Sequence, residues 1–329
     1  MIDNSISFDD AFDTFLLAKR SENVTPGSIG VYEATRAFWD RRWPAMRLSD
    51  ITADHVRQWL VWLQGESQAD IHAPTIKSAT VHIRFRNMRA LFLWCEREDL
   101  IPRSPMRNVK APIVEETIPD VLTEDEAELL LKKVKHNGDR HAFRDYCIHL
   151  TFLATGVRLS ELVGLNIEHV NLKDGYAKVY GKGRRERIVP LGTRLPLELK
   201  RYMLKHRPST ESRALFINDR GDRLEARGVQ SLVIRDLVQY VKRTLNRIGP
   251  HTYRHTACTF RLRRTRDLKG TAEVMGHTTT RTTERYSHLS HNDVINNGGD
   301  QSYSPMDDIL KSKKNKEIRY NKTAHLNDD

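Results

Sequence analysis

The side chains best suited to chemistry cluster in two stretches of the chain. In the first, residues 152–165 read FLATGVRLSELVGL, an apolar helix that ends at Gly156 followed by a new helix beginning near Ser160. Arg158 sits in the joint, where a rigid guanidinium fork can be aimed at a phosphate, and Glu161 one turn on would brace it. The plainer reading of that pair is an interhelix salt bridge. In the second stretch, 249–289, His251 and Arg254 lie one helical turn apart and share a face. Gly276-His277 then closes another helix, and a polar run, 278–283, leads to Tyr286. A phenol with a pKa of about 10 attacks poorly unless its proton is removed or its target is made more electrophilic. Taken singly, Tyr286 has the usual default of a packing residue. His251 and His255 have the spacing of helical zinc ligands, but Arg254 beside them would repel a cation and no third ligand is evident.

Composition narrows the partner. The 329 residues carry 54 Lys and Arg against 43 Asp and Glu, a formal charge of +11. Nucleic-acid binders have this electrostatic profile, although ribosome-associated and membrane-surface proteins share it. No apolar run is long enough to span a bilayer. After Met1 come Ile2, Asp3 and Asn4, without the basic start and apolar stretch of a signal peptide, so a cytoplasmic protein is expected. Cys95, Cys147 and Cys258 lie too far apart for a disulfide framework or a CxxC metal site. Neither cofactor nor metal is expected.

These residues need a scaffold, and the length suits two domains. The first reads as four helices. Phe8, Phe12, Phe15 and Leu16 mark one; Tyr32, Thr35, Phe38 and Trp39 the next; Val56, Trp59, Leu60 and Leu63 a third behind the N-cap Thr52. The fourth runs over about 75–98, with Ile76, Ile83, Leu91 and Trp94 inward and Lys77, Arg84, Arg86 and Arg89 on a basic outer face that would touch DNA phosphates. Four prolines over 102–119 predict an extended interdomain linker. Thr123-Glu124-Asp125-Glu126 then forms a capping box ahead of Ala127, Leu130, Leu131 and Val134. Short strands are expected over 171–191 around the turn Gly181-Lys182-Gly183, with helices resuming from about Arg227. Beyond Ser290 the composition shifts to Asn, Gly, Ser and Lys, predicting a flexible tail; disorder is the first reading of 306–310, and a short amphipathic helix that docks on a neighbour is the alternative. The expected division is 1–110 helical, 111–120 linker, 121–290 catalytic, 291–329 tail.

In its ordered set of motifs the sequence resembles the tyrosine recombinase (phage integrase) family over about 120–290. The arginine box, the basic turn between strands, the H-x-x-R helix, the G-H pair and a tyrosine in a T-T-x-x-Y setting occur in the family's order. The resemblance assigns the phosphate-binding arginines to Arg158 and Arg254, the hairpin lysine to Lys182, the histidines to His251 and His277, and the nucleophile to Tyr286. In this scheme Arg158 and Arg254 stabilise charge on the pentavalent phosphorus and His277 adds a hydrogen bond. His251 takes or relays a proton, and Lys182 protonates the departing 5′ oxygen. A 3′-phosphotyrosine conserves the bond energy, so rejoining needs neither ATP nor metal. One departure is Thr265-Arg266-Asp267, where many members have glycine.

The implied fold is mainly α (α+β): a helical, SAM-like core-binding domain joined to a mixed helical catalytic domain with a small antiparallel sheet, closing as a C-shaped clamp on duplex DNA. The implied assembly is a homotetramer on two recombination sites, or a heterotetramer with a related recombinase. The task would be integration or excision of a mobile element, or resolution of chromosome or plasmid dimers. Two alternatives remain at this point: a type IB topoisomerase-like enzyme that relaxes DNA, and a catalytically silent DNA-binding regulator.

Overall fold

A computed structural model describes residues 5–65, 76–114, 119–181, 186–277 and 279–284. The chain divides into two compact units, Met1–Thr117 and Ile118–Asp329.

Among its described residues the first unit holds four α-helices: α1 (Phe8–Ser21), α2 (Pro26–Arg42), α3 (Ala53–Leu63) and α4 (Ser78–Arg97). Local chemistry sets their starts. Ser7 and Thr25 cap α1 and α2, Pro26 takes the first turn of α2 where its missing N–H costs nothing, and Thr52 with His55 closes a capping box on α3. The core is aromatic. Trp39 stacks on Phe8 at 5.3 Å between ring centres and meets Trp59 edge-on at 5.4 Å.

Two expectations for α4 need correction. The inward row is Val81, Phe85, Met88, Phe92 and Cys95, spaced by three and four, with Leu91 and Trp94 also buried. Ile83 stands two residues from Val81, roughly 200° around the helix, and is 44% exposed rather than inward. Arg84 flanks the row, so it is a strut, not part of the outer face. Its Nη1 donates to the Val31 carbonyl at 3.0 Å and to Thr35 Oγ1 at 3.1 Å, and its guanidinium lies 5.0 Å from the Phe38 ring centre. Lys77, Arg86 and Arg89 are exposed.

The proline-rich stretch also differs from the extended linker expected from 102 onward. Ile101, Met106 and Val109 are buried in the first core, and the Ser104 N–H donates to Glu96 Oε2 at 3.2 Å. Proline removes helical and strand periodicity, but it leaves irregular chain free to pack.

The second unit begins with α5 (Glu124–Lys135), whose Thr123–Glu126 capping box is the one read from sequence. Next come α6 (Ala142–Thr155) and α7 (Leu159–Val163). A sheet of β1 (Val170–Asn171), β2 (Tyr176–Tyr180) and β3 (Glu186–Pro190) follows, antiparallel in that order, with Ala177 opposite Val189 and Val179 opposite Arg187. Helices resume earlier than the expected Arg227. Helix α8 (Arg194–Arg201) runs on through a wider π-type turn, Tyr202–His206, and buries Leu195, Leu199 and Tyr202 at helical spacing. Pro196 is tolerated there because it lies in the first turn. Helices α9 (Ala226–Tyr240), α10 (Pro250–Thr265), α11 (Leu268–Met275) and α12 (Arg281–Glu284) complete the described unit.

Helix α6 is the axis of this unit, with Cys147, Ile148, Leu150, Phe152 and Leu153 wholly buried. A polar joint crosses the apolar core. His149 Nδ1 pairs with the Tyr253 hydroxyl at 2.6 Å and Nε2 with Asp236 Oδ2 at 2.8 Å, all three groups being buried. Because such a network is stable only when every member is satisfied, it fixes the register of α6, α9 and α10.

All five tryptophans, at positions 39, 43, 59, 62 and 94, belong to the first unit, so tryptophan fluorescence during urea unfolding reports on it selectively. Arg84→Ala should lower its stability by roughly 1 kcal/mol through the lost hydrogen bonds to α2, whereas Arg86→Ala should change it by no more than about 0.5 kcal/mol. The opposite ranking would restore Arg84 to the solvent face.

Candidate active site

Three chain features bring the site together. Helix α6 ends at Gly156 in the left-handed region (φ 63°), which turns the chain so that Arg158 sits at the N-cap of α7. Helix α10 presents His251 and Arg254 on one face. Helix α11 ends at Gly276, also left-handed (φ 64°), which delivers His277 directly after it.

The arginines are fixed mainly by backbone carbonyls. Arg254 donates from Nη1 to the Gly156 carbonyl at 2.6 Å and from Nη2 to the Met275 carbonyl. Arg158 donates from Nη2 to the Gly276 carbonyl at 3.0 Å and from Nη1 to Glu161 Oε1 at 2.8 Å, while its backbone N–H reaches Glu161 Oε2 at 2.7 Å. Glu161 therefore braces Arg158, as the sequence suggested, and the partner is in the same turn rather than across helices.

A third arginine belongs to the cluster and was missed. Arg187 on β3 holds Glu161 with both terminal nitrogens, Nη1 to Oε1 at 2.5 Å and Nη2 to Oε2 at 2.9 Å, and donates from Nε to the Val274 carbonyl at 3.1 Å. The signal was available. Arg187 and Val189 alternate onto the covered face of β3 while Ile188 is 57% exposed, and an arginine on an inward strand position requires a buried acceptor. Thr283 was also missed; it is fully buried and its Oγ1 pairs with His277 Nδ1 at 2.7 Å.

Crowded positive charge shapes the titrations. Burial pushes the Glu161 carboxyl up, but hydrogen bonds from Arg187 and the Arg158 backbone outweigh this and hold it at about 2. Burial, then Arg158, lowers Arg254 to about 10. Burial, then Arg254, Arg158 and Arg187, lowers His277 to about 4. His251 is exposed as a residue, yet desolvation of its ring, followed by Arg254, Arg158 and Arg247, also lowers its pKa. Both histidines are thus neutral near pH 7.

Arg158, His251 and Arg254 line one pocket of about 210 Å³ together with Val157, Leu159, Gln230 and Pro250. Lys182 and Tyr286 lie outside the described residues, as does the tail with 306–310. The structure therefore brings together Arg158, Glu161, His251, Arg254 and His277. Among the residues expected to touch DNA from the first unit, Lys77, Arg86 and Arg89 are exposed and Arg84 is half-buried, held on α2.

Fixed guanidinium groups beside neutral imidazoles define a protein that receives an oxyanion such as a phosphodiester. The family model for the phage integrase family matches residues 120–293. A tyrosine recombinase XerC of Mycobacterium sp. (strain JLS) is 32% identical over 290 residues, covering 85% of this chain and 93% of that protein. Another XerC, from Pelotomaculum thermopropionicum, is 33% identical over 298 residues, covering 84% and 93%. Among solved structures, the Tn1549 transposon integrase in complex with a circular intermediate DNA has a TM-score of 0.69 at 18% identity, over 86% of this chain and 95% of that one. XerH recombinase bound to its difH substrate, a post-cleavage complex, has a TM-score of 0.66 at 19% identity over 88% and 89%. The chain belongs to the phage integrase family of tyrosine recombinases.

A histidine whose folded pKa lies below its ordinary 6.5 binds protons more readily in the unfolded chain, so His277 at about 4 makes the second unit lose stability as pH falls from 6.5 toward 4. Glu161, depressed to about 2, adds a loss only as pH falls below its ordinary 4.5. Proton NMR of the free chain should place the His277 midpoint at about 4. A midpoint at 6.5 or above would contradict the arginine field.

Proposed function

We propose that this chain is a site-specific DNA recombinase that cuts and rejoins duplex DNA through a 3′-phosphotyrosine, with Arg158 and Arg254 gripping the nonbridging oxygens of the scissile phosphate. The observation that carries this reading is the anchoring of both arginines on the carbonyl row that ends α11, with both lining one pocket beside His251. Held this way, they are ready for a trigonal bipyramidal phosphorus without reorganising.

The phenolic oxygen of Tyr286 attacks phosphorus, the bond to the 5′ oxygen breaks, and the departing oxygen takes a proton from Lys182. Neutral His251 accepts or relays the phenol proton, and His277, oriented by Thr283, donates to a nonbridging oxygen. Attack by a new 5′ hydroxyl reverses the sequence and frees Tyr286. Positive charge comes from arginine, so cleavage should persist in excess EDTA.

One nucleophilic tyrosine per chain and two cuts in each of two duplexes require four protomers on two DNA sites, as a homotetramer or with a related recombinase. The first unit adds sequence-independent phosphate contacts through Lys77, Arg86 and Arg89, and the protein works on cytoplasmic DNA. Among the described residues no helix is long and apolar enough to cross a membrane.

Covalent capture from fragmented genomic DNA tests the assignment. The unaltered chain should yield protein-DNA adducts after denaturation, and Tyr286→Phe should yield none while binding DNA within a few-fold. An adduct from the Phe variant would exclude Tyr286 as nucleophile. For Lys182, the captured duplex with sulfur replacing the bridging 5′ oxygen needs no acid. Lys182→Ala should therefore cut ordinary DNA roughly a hundred-fold slower yet cut the sulfur substrate nearly normally. Equal impairment on both would make Lys182 a binding residue.

A further inference from the structure

Arg187 has no role in the chemistry above, yet it is tied into the same row of acceptors as the two arginines assigned to the phosphate. All three of its nitrogens donate to protein acceptors: Nη1 and Nη2 to the two oxygens of Glu161, and Nε to the Val274 carbonyl. Its side chain is 15% exposed, against 35% for Arg158. A guanidinium with all three nitrogens already bonded to protein acceptors, two of them to one carboxylate, is better placed to fix its neighbours than to grip a ligand.

We propose that Arg187 is the positioning residue of this site: by clamping Glu161 and the end of α11 together, it sets the direction in which Arg158 presents its fork to a phosphate. The inference rests on the phosphate-binding part of the proposed function and extends it to a residue outside the motif set. Each Glu161 oxygen serves both arginines. Oε1 accepts from the side chains of Arg158 and Arg187, and Oε2 from the Arg158 backbone and the Arg187 side chain. Without Arg187 the carboxylate would keep only the Arg158 bonds and could rotate, carrying Nη1 of Arg158 with it.

The second anchor acts on the other nitrogen of Arg158. The Val274 carbonyl that takes Nε of Arg187 lies two residues before the Gly276 carbonyl that takes Nη2 of Arg158. Arg187 thus tethers both structures that hold Arg158. Gly276 shows how closely this is fitted, since a Cβ there would come within 3.0 Å of Arg187 Cδ, Nε and Cζ. The glycine is needed for its left-handed backbone and equally for the passage of this side chain.

Positioning differs from added charge in a measurable way. Lysine keeps the charge, but a single ammonium cannot hold both carboxylate oxygens and the Val274 carbonyl together. Calorimetric titration of the full-length chain with inorganic phosphate reads the arginine pair without requiring recombination. Arg187→Met and Arg187→Lys should both weaken phosphate binding, by roughly tenfold, the effect typical of removing a group that orients a ligand-binding side chain. Lys178→Met, which removes an exposed cation on β2 of the same sheet, should leave it within twofold.

A second readout follows the carboxylate. Facing Glu161 are Arg158 and Arg187, with Arg254 further out. Carboxyl ¹³C NMR should show Glu161 titrating higher in Arg187→Met than in the unaltered chain, because burial persists while its larger hydrogen-bonding partner is gone. Phosphate binding should then acquire an acid limb at correspondingly higher pH. Full binding by Arg187→Lys would show that charge alone matters, and unchanged binding by Arg187→Met would remove the proposal entirely. Should the Met variant fail to fold, the Lys variant alone decides between these outcomes. Failure of covalent capture by the unaltered chain would sink the recombinase reading while leaving both Arg187 readouts intact.

Discussion

The site depends on how the end of helix α11 is satisfied. The last carbonyls of any α-helix have no partner within the helix and carry the negative end of its dipole. Here the N–H groups of His277 and Gly276 take the Ala272 and Glu273 carbonyls, and the next three carbonyls each receive a different arginine. Val274 accepts from Arg187, Met275 from Arg254 and Gly276 from Arg158. One helix terminus thus sets the spacing of three guanidinium groups drawn from a strand, a helix and an interhelix joint. His277 is the next residue of the chain, which places an imidazole beside the same cluster.

Such a cluster is costly to fold, and the surrounding unit is built to resist its relaxation. Among the described residues Glu161 bridges two of the three cations, Arg158 and Arg187, and the depressed pKa values of Arg254 and His277 register burial first and then the remaining repulsion. Arg254 follows Tyr253 in α10, and Tyr253 is tied through His149 to Asp236 in the buried core. That joint prevents α10 from sliding along α6 to separate Arg254 from the Gly156 carbonyl. Strain of this kind is retained where an incoming anion relieves it.

Much of this organisation was legible because it uses strong local signals. Glycine at the two left-handed helix ends, the N-cap at Thr52, the capping box at Thr123, and the turn spacing of His251 and Arg254 are each decided within a few residues. What escaped depends on distant partners. Arg187 looks like one more cation in a basic hairpin until its alternation with Val189 is noticed, and Arg84 looks like a surface residue until α2 supplies its acceptors. Ile83 misled because an apolar residue was assumed to face inward, and the prolines of 102–119 hid Met106 and Val109, whose burial has no regular period. The Thr265-Arg266-Asp267 departure also resolves locally. Arg266 itself adopts the left-handed conformation at φ 56°, and Asp267 caps α11 by accepting from the Gly270 N–H at 2.8 Å. The bend is kept, with the strain of a side chain in a region that glycine enters freely, roughly 1–2 kcal/mol.

The choice of carbonyls over carboxylates to hold these arginines explains the electrostatics of the site. A carboxylate for every guanidinium would orient the three groups equally well, but it would cancel their charge and return His277 toward its ordinary pKa. A carbonyl accepts the same hydrogen bond with only a partial charge, so direction is fixed while the positive field survives. Glu161 is the exception, and it is divided between Arg158 and Arg187, so that one negative charge orients two cations and leaves the cluster net positive. Burial, and after it the same field, keeps His277 and His251 neutral, able to exchange or donate a proton without adding to the repulsion. On the proposed function, a phosphodiester entering the pocket would meet preset donors whose charge has not been cancelled by carboxylates. That condition follows from ending α11 beside the arginines instead of surrounding them with acids.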